Sequence, residues 1–244
     1  FLGKEETILF TDAAKVPQET ADYLASIHVS VAPYAEAAAT LSRLQGVKLL
    51  LDLPKTNAAI YEAAQQGCTI IDSASPICLM KSVKNAMEQA GFREAMIRDG
   101  VAMVKFLRWL KPAVEQGGQT ELTIDEKLCA LRAEQADFRG ISFDTIAGYG
   151  AHGAIVHYEA TPETDIPLEP KGLLLLDSGG QYLDGTTDLT RTIALGPTTE
   201  EERTDYTLVL KGFLALMNAE FPAGTCGTQL DVLARQAMWK MGIN

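Results

Sequence analysis

Three residues of this 244-residue chain have the types and placement for hydrolytic or metal chemistry: His157, Asp177 and Asp188. Asp177 stands directly behind four consecutive leucines in the stretch GLLLLDSGGQYLDGTTDLTRT. Such an apolar run reads as a buried strand, and a carboxylate at its end costs several kcal/mol unless it is paired or bound to a cation. Asp188 follows eleven residues later, beyond the turn signal Asp184-Gly185. A two-residue hairpin on that signal sets Asp188 opposite Gln181, which leaves Asp177 about 13 Å further along the strand. The two carboxylates then meet only if the strand bends, and Ser178-Gly179-Gly180 is where a bulge is expected. Once close they repel, and a hard divalent cation such as Mn²⁺ between them is the natural relief. Alternation puts Asp188, Thr190 and Thr192 on one face, so Thr190 is placed to hydrogen-bond a ligating carboxylate. The plainer reading has Asp177 capping a turn and Asp188 solvated. Spacing alone leaves both open.

The chain has three histidines. His28 lies between two apolar stretches and reads as structural. His152 sits in a Gly-Ala-His-Gly turn and is expected to be exposed. His157 lies within AIVHY, read as a strand that precedes the Asp177 strand, which brings it toward the same site.

The elements that must position these residues follow from periodicity. Residues 1–78 alternate short apolar strands (ETILFTD, GVKLLLDL, CTIIDS) with helical stretches, an α/β pattern. No Gly-rich phosphate loop follows any of those strands. SASPICLMKSVKN, with Pro76 at its centre, reads as a joint. Residues 79–244 read as two helices, about four strands and two helices, an α+β arrangement. The first helix is expected from Ser82 to Leu110, with Ile97, Val101, Val104 and Leu107 as its apolar stripe and Pro112 just past its end. The second is expected to open on a Thr123–Glu126 capping box. In the last two, Tyr206, Leu210, Phe213 and Met217 share one face, and Leu230, Leu233, Ala237 and Met241 another.

Composition narrows the class. Apolar residues make up 47% of the chain, enough for a core. The net charge of −11 argues against nucleic acid as a partner. No apolar run is long enough to span a bilayer, and no export signal opens the chain, so a cytoplasmic protein is expected. Cys68, Cys78, Cys129 and Cys226 form no Cys-x-x-Cys pair and read as reduced, mostly buried thiols. The chain opens on FLGKEE and stops at WKMGIN with a helical pattern still running, so an internal piece of a longer polypeptide is expected.

SPICLMKSVKN, AGFREAMIRDGVAMVKFLRWL, GAHGAIVHY and LLLLDSGGQYLDGTTDLTRT together resemble the Xaa-Pro aminopeptidase (aminopeptidase P) family, in its three-domain cytoplasmic branch. The resemblance is strong over about 76–244 and weaker over 1–75, which resemble a creatinase N-terminal-like domain. It implies an α/β N-terminal part (1–78) followed by an α+β pita-bread peptidase domain (79–244) that is incomplete at its C-terminal side. It implies two metal ions, usually Mn²⁺, with Asp177 and Asp188 matching the first two of five ligands, and His157 matching the substrate-binding histidine. The other three ligands of the family, one His and two Glu, have no match after Asp188, so the chain alone is expected to be inactive. The implied substrate is a peptide with proline second, cleaved before that proline, and the implied assembly is a homodimer. Prolidase is the close enzymatic alternative. A non-catalytic binding module of the same fold is a further one, against which the retained Asp177, Asp188 and His157 argue, and a metal-free creatinase-like hydrolase another, which would not need both Asp residues.

Overall fold

A computed structural model describes residues 1–243. The chain divides into two compact units, Phe1–Lys84 and the residues from Asn85 onward.

In the first unit, β1 (Thr7–Thr11), α1 (Gln18–Ser26) and β2 (Val29–Pro33) are followed by α2 (Ala37–Ser42), β3 (Val47–Leu51), α3 (Ala58–Ala64), β4 (Cys68–Asp72) and α4 (Pro76–Ser82). β1 pairs with β2 and β3 with β4, both in parallel, so each pair is one strand–helix–strand unit. Asn57 caps α3 through its side chain on the Ile60 amide. Pro76, at the first position of α4, starts a short helix where a joint was expected, because proline there gives up only an amide that would be unbonded anyway.

The second unit starts with a 31-residue helix, α5 (Ala86–Gln116), and continues through α6 (Glu121–Ala133), β5 (Phe138–Ile141), β6 (Ile146–Tyr149), β7 (Leu173–Ser178), β8 (Gly180–Tyr182), β9 (Gly185–Thr186), β10 (Leu189–Ala194), α7 (Glu200–Met217) and α8 (Gly227–Trp239). One antiparallel sheet runs β10-β7-β6 and a second runs β5-β8-β9. The core lies where α5 and α6 meet the first sheet: Met103, Phe106, Leu110, Ile124 and Leu128 pack with Leu174 and Leu176.

Several local expectations are corrected. α5 does not stop before Pro112 but carries it inside and ends at Gly117, because Ala113 and Val114 beyond it are buried in the core. Its buried face is Ala95, Ala102, Met103, Phe106 and Leu110, while Ile97 (60% exposed), Val101 and Val104 (66% exposed) point away from the core and Leu107 is only partly covered. α6 opens one turn earlier than expected, capped by Thr120 and Thr123 rather than by Thr123 and Glu126. The apolar faces read on the last two helices are not corrected but left open: Tyr206, Leu210, Phe213 and Met217 are exposed, as is Met241. α7 instead meets α8 at Gly212, where a Cβ would fall 1.9 Å from the Ala234 carbonyl oxygen, so only glycine lets the two backbones approach. All four cysteines are unpaired, but none is fully buried, and Cys78 and Cys226 are exposed.

A buried charge pair locks α5 and α6 together. Arg132 on α6 donates from Nε to Asp99 Oδ1 at 2.7 Å and from Nη2 to Oδ2 at 3.1 Å, with both residues 1% exposed. The Tyr182 hydroxyl of β8 donates to Asp99 Oδ1 at 3.0 Å. Burial, then the Asp99 charge, pushes the Tyr182 pKa well above the usual phenol range, so the hydroxyl stays a donor. One carboxylate thereby fastens both helices to the second sheet.

Candidate metal centre

The carboxylate behind four leucines is explained by the pleat of β7. Leu174, Leu176 and Ser178 are buried, while Leu173, Leu175 and Asp177 are only partly so. With side chains alternating at period two, Asp177 stands on the sheet face opposite the helical core. Thr190 of β10 and Ile146 of β6 are its cross-strand partners.

The hairpin turn is not where the Asp184-Gly185 signal placed it. Tyr182 pairs with Gly185, so the turn residues are Leu183 and Asp184. Gln181 pairs with Thr186 and Ser178 with Leu189, three positions further along each strand, so no residue is inserted on either side. Asp188 therefore falls opposite Gly179 rather than Gln181. It becomes the diagonal neighbour of Asp177 on the same face, about 7–8 Å away at the backbone and within reach of converging side chains. The pair is brought together by the turn position, with the register kept.

The ladder is nonetheless interrupted at this point, where the strands pass from one sheet to the other. Thr187 Oγ1 accepts from the Gly180 amide at 2.9 Å, and Ser142 reaches in, its amide donating to the Gly179 carbonyl at 3.1 Å and its hydroxyl to the Thr187 carbonyl at 2.9 Å. A Cβ on Gly179 would lie 2.0 Å from the Thr187 carbonyl oxygen and 2.2 Å from Ser142 Oγ. Glycine is required there by space, and the crossing fixes where Asp188 leaves the strand.

His157 is not in a strand. The segment after β6 forms a 3₁₀ turn, Gly150–Ala154, and His157 follows in a turn with left-handed backbone, φ 56°. The physical reason is a reversal at Gly148 and Gly153, whose backbones touch: a Cβ on Gly148 would be 2.8 Å from the Gly153 amide nitrogen. This fold-back returns the exposed His157 to the Asp177 face. A cavity of about 390 Å³ is lined by Phe143, Asp144, Ile146, His157, Glu159, Asp177 and Asp188 among others. A second, of about 310 Å³, has His157, Asp177 and Thr190 in its wall. All four residues singled out in the sequence thus border adjoining space on one sheet face.

Asp177 Oδ1 is buried and has no hydrogen-bond partner. A carboxylate oxygen left in that state is costly in a protein interior, and its position beside Asp188 suits a hard cation that takes oxygen ligands. Asp177 and Asp188 fit as one wall of a metal centre. Among the described residues no group of three or more His, Cys, Asp or Glu side chains is arranged to hold an ion.

The sequence reading missed what holds the His157 segment. His152 is not exposed: its side chain is half-buried, and Nδ1 lies 3.0 Å from both oxygens of Glu121, which places the proton on Nδ1. Glu121 is wholly buried and also accepts from the Tyr149 amide at 2.8 Å and the Tyr158 hydroxyl at 2.9 Å. Burial raises the Tyr158 pKa, which keeps that hydroxyl protonated. Tyr158 was visible as the second letter of the His-Tyr pair, but Glu121 sits 36 residues upstream, and nothing local ties it to the turn.

Comparison with known proteins decides the family. The model of metallopeptidase family M24 matches residues 90–244. The chain belongs to that family. Residues 1–88 match the creatinase/prolidase N-terminal domain, so the fold is a creatinase N-terminal domain followed by the M24 pita-bread domain. The chain is 36% identical to Xaa-Pro aminopeptidase ApepP of Drosophila melanogaster, over 98% of this chain and 40% of that protein. It is 37% identical to Xaa-Pro aminopeptidase 1 of Dictyostelium discoideum, over 98% and 39%. The crystal structure of X-prolyl aminopeptidase from Caenorhabditis elegans, described as a cytosolic enzyme with a di-nuclear active site, superposes with a TM-score of 0.86 at 32% identity, covering 99% of this chain and 40% of that one. Prolidase from Pyrococcus furiosus shares the fold, with a TM-score of 0.73 at 21% identity over 97% of this chain and 67% of its own. The chain therefore spans about 40% of the length of the curated relatives.

Proposed function

We propose that the polypeptide carrying this chain is a dinuclear Xaa-Pro aminopeptidase, releasing an N-terminal residue that precedes proline. The observation that carries the reading is the buried, unpartnered Oδ1 of Asp177, in a cavity that also holds Asp188 and His157. Asp177 and Asp188 would hold the two ions, Mn²⁺ being our assignment from these two carboxylate donors. Bound there, the ions supply Lewis acidity toward the peptide carbonyl and a water activated at neutral pH. Thr190, directly across from Asp177, steadies that carboxylate. His157 donates a hydrogen bond in the region of the scissile amide and stabilises charge as it develops. The further ligands of a two-ion centre would lie in the part of the polypeptide that the longer relatives share beyond this chain. A cytosolic setting belongs to the same proposal and rests on the description of the worm enzyme; no helix of the described residues is long and apolar enough to cross a membrane.

The test is hydrolysis by the full-length, Mn²⁺-loaded polypeptide. Xaa-Pro-Yaa tripeptides should be cleaved before proline, and an enzyme that takes Xaa-Pro dipeptides alone would be a prolidase instead. In that protein His157→Ala should lower kcat roughly 30- to 1,000-fold, the 2–4 kcal/mol scale of a lost oxyanion donor, with the bound metal unchanged. Undiminished turnover would make His157 structural. Residues 1–244 expressed alone should show no Xaa-Pro cleavage above background even with Mn²⁺ added, since two carboxylates do not enclose two ions. Turnover near that of the full-length protein would contradict this ligand assignment.

A further inference from the structure

We infer that Glu121 is the positioning residue for His157, acting as a three-point anchor for the turn that presents it. This rests on the substrate-binding reading of His157. Apart from the Gly148–Gly153 contact, the turn is held locally by two backbone bonds, from the Ile155 amide to the His152 carbonyl at 3.1 Å and from the Tyr158 amide to the Ile155 carbonyl at 3.2 Å. Ile155 and Val156 are exposed, at 51% and 83%, so no apolar packing fixes the two residues before His157. His157 itself adopts a left-handed backbone, an uncommon conformation that costs a non-glycine residue free energy, so contacts that hold it matter. Such contacts converge on one buried carboxylate. Glu121 takes the Tyr149 amide where β6 ends, the His152 imidazole in the middle of the turn, and the Tyr158 hydroxyl one residue after His157. The His152 and Tyr158 rings lie against each other with centroids 4.4 Å apart, so the two flanks are also fastened to one another. The Tyr158 hydroxyl also reaches Thr164, at 3.3 Å to its Oγ1 and 3.4 Å to its carbonyl oxygen. Glu121 is at the first position of α6, on a helix fixed in the core by Ile124 and Leu128, and a carboxylate is favoured at that helix end. The chain of support thus runs from core to helix end, to carboxylate, to turn, to imidazole.

The experiment uses the full-length, metal-loaded protein with Glu121→Gln, Tyr158→Phe and each combined with His157→Ala. Tyr158→Phe keeps the ring and removes only the hydroxyl, with its bond to Glu121 and its longer contacts to Thr164, so it guards against a Glu121 variant that does not fold. Each single variant should lower kcat about 10- to 100-fold, the scale of a misplaced reacting group, with KM and metal content little changed. In the His157→Ala background the same changes should be nearly silent, because contacts acting through one residue are not additive. Hydrogen–deuterium exchange over 149–159 should rise in both single variants, with exchange in α6 unchanged. Losses of equal size in both backgrounds, or unaltered exchange in the turn, would overturn the assignment. Absence of Xaa-Pro turnover in the wild type would instead defeat the functional reading, and the exchange comparison would still decide whether Glu121 anchors the turn.

Discussion

Asp177→Asn in the full-length polypeptide should cost activity at least about 10³-fold, the several kcal/mol that a metal centre supplies, while leaving the metal-free fold as stable as before or more so. The two halves of this expectation come from the same atom. Asp177 Oδ1 is buried without a partner, so in the metal-free protein the carboxylate is a liability on the sheet face. Asparagine fills the same volume without the charge. It relieves that liability, and it also removes the ligand that a cation requires. Metal analysis should fall below two ions per chain, and the melting temperature of the metal-free protein should hold or rise. A structural aspartate would behave in the opposite way, with a lower melting temperature and metal content intact.

The second large effect is on stability. Asp99→Ala should destabilise the second unit by about 3–5 kcal/mol, the cost of breaking one side of a buried ion pair. It leaves the buried Arg132 guanidinium without its two-pronged partner and the Tyr182 hydroxyl without an acceptor. Replacing both members, Asp99→Leu with Arg132→Met, should recover most of that loss, because two apolar groups of similar size leave no stranded charge. Chemical denaturation of the three proteins side by side measures the difference. Equal stability of Asp99→Ala and wild type would mean the pair is solvated. The site itself should feel the change, since β8 and Gly180 pack against Asp99 and carry the crossing at Gly179.

The parts of this architecture that a sequence can disclose are those written locally. The strand–helix rhythm of the first unit was legible for β1, β3 and β4. β2 was not, since Val29–Pro33 mixes serine and proline into a short run and lies behind the left-handed His28. On α5 the periodicity is real but has two apolar faces. Ile97, Val101 and Val104 present the stripe with the larger side chains, whereas the buried one is built partly from Ala95 and Ala102 and contains the charged Asp99. A helical wheel cannot choose between them without knowing that Arg132 waits on the next helix. The Asp177–Asp188 pair drew notice as a carboxylate behind a leucine run, but spacing alone left a turn-capping reading open, and it was the family resemblance of the whole stretch that singled the pair out. The bend expected to join them was not needed, because the turn falls one residue earlier than the Asp-Gly signal implies. His157 was expected in a strand and lies in a turn: two glycines folding back on each other, Gly148 and Gly153, bring it to the cavity it shares with Asp177, as an extended strand was expected to do. Glu121 was invisible because its three partners are 28 to 37 residues away in sequence.

The central claim is that the Asp177–Asp188 face, with His157 beside it, is a divalent metal centre. Anomalous diffraction from crystals of the full-length polypeptide grown with Mn²⁺ tests it most directly. Two anomalous peaks should stand on this sheet face, each within roughly 2–2.5 Å of a carboxylate oxygen of Asp177 or Asp188, with one of them on the Asp177 Oδ1 that is otherwise unpartnered. Peaks elsewhere in the molecule, with both carboxylates free of metal, would contradict the account.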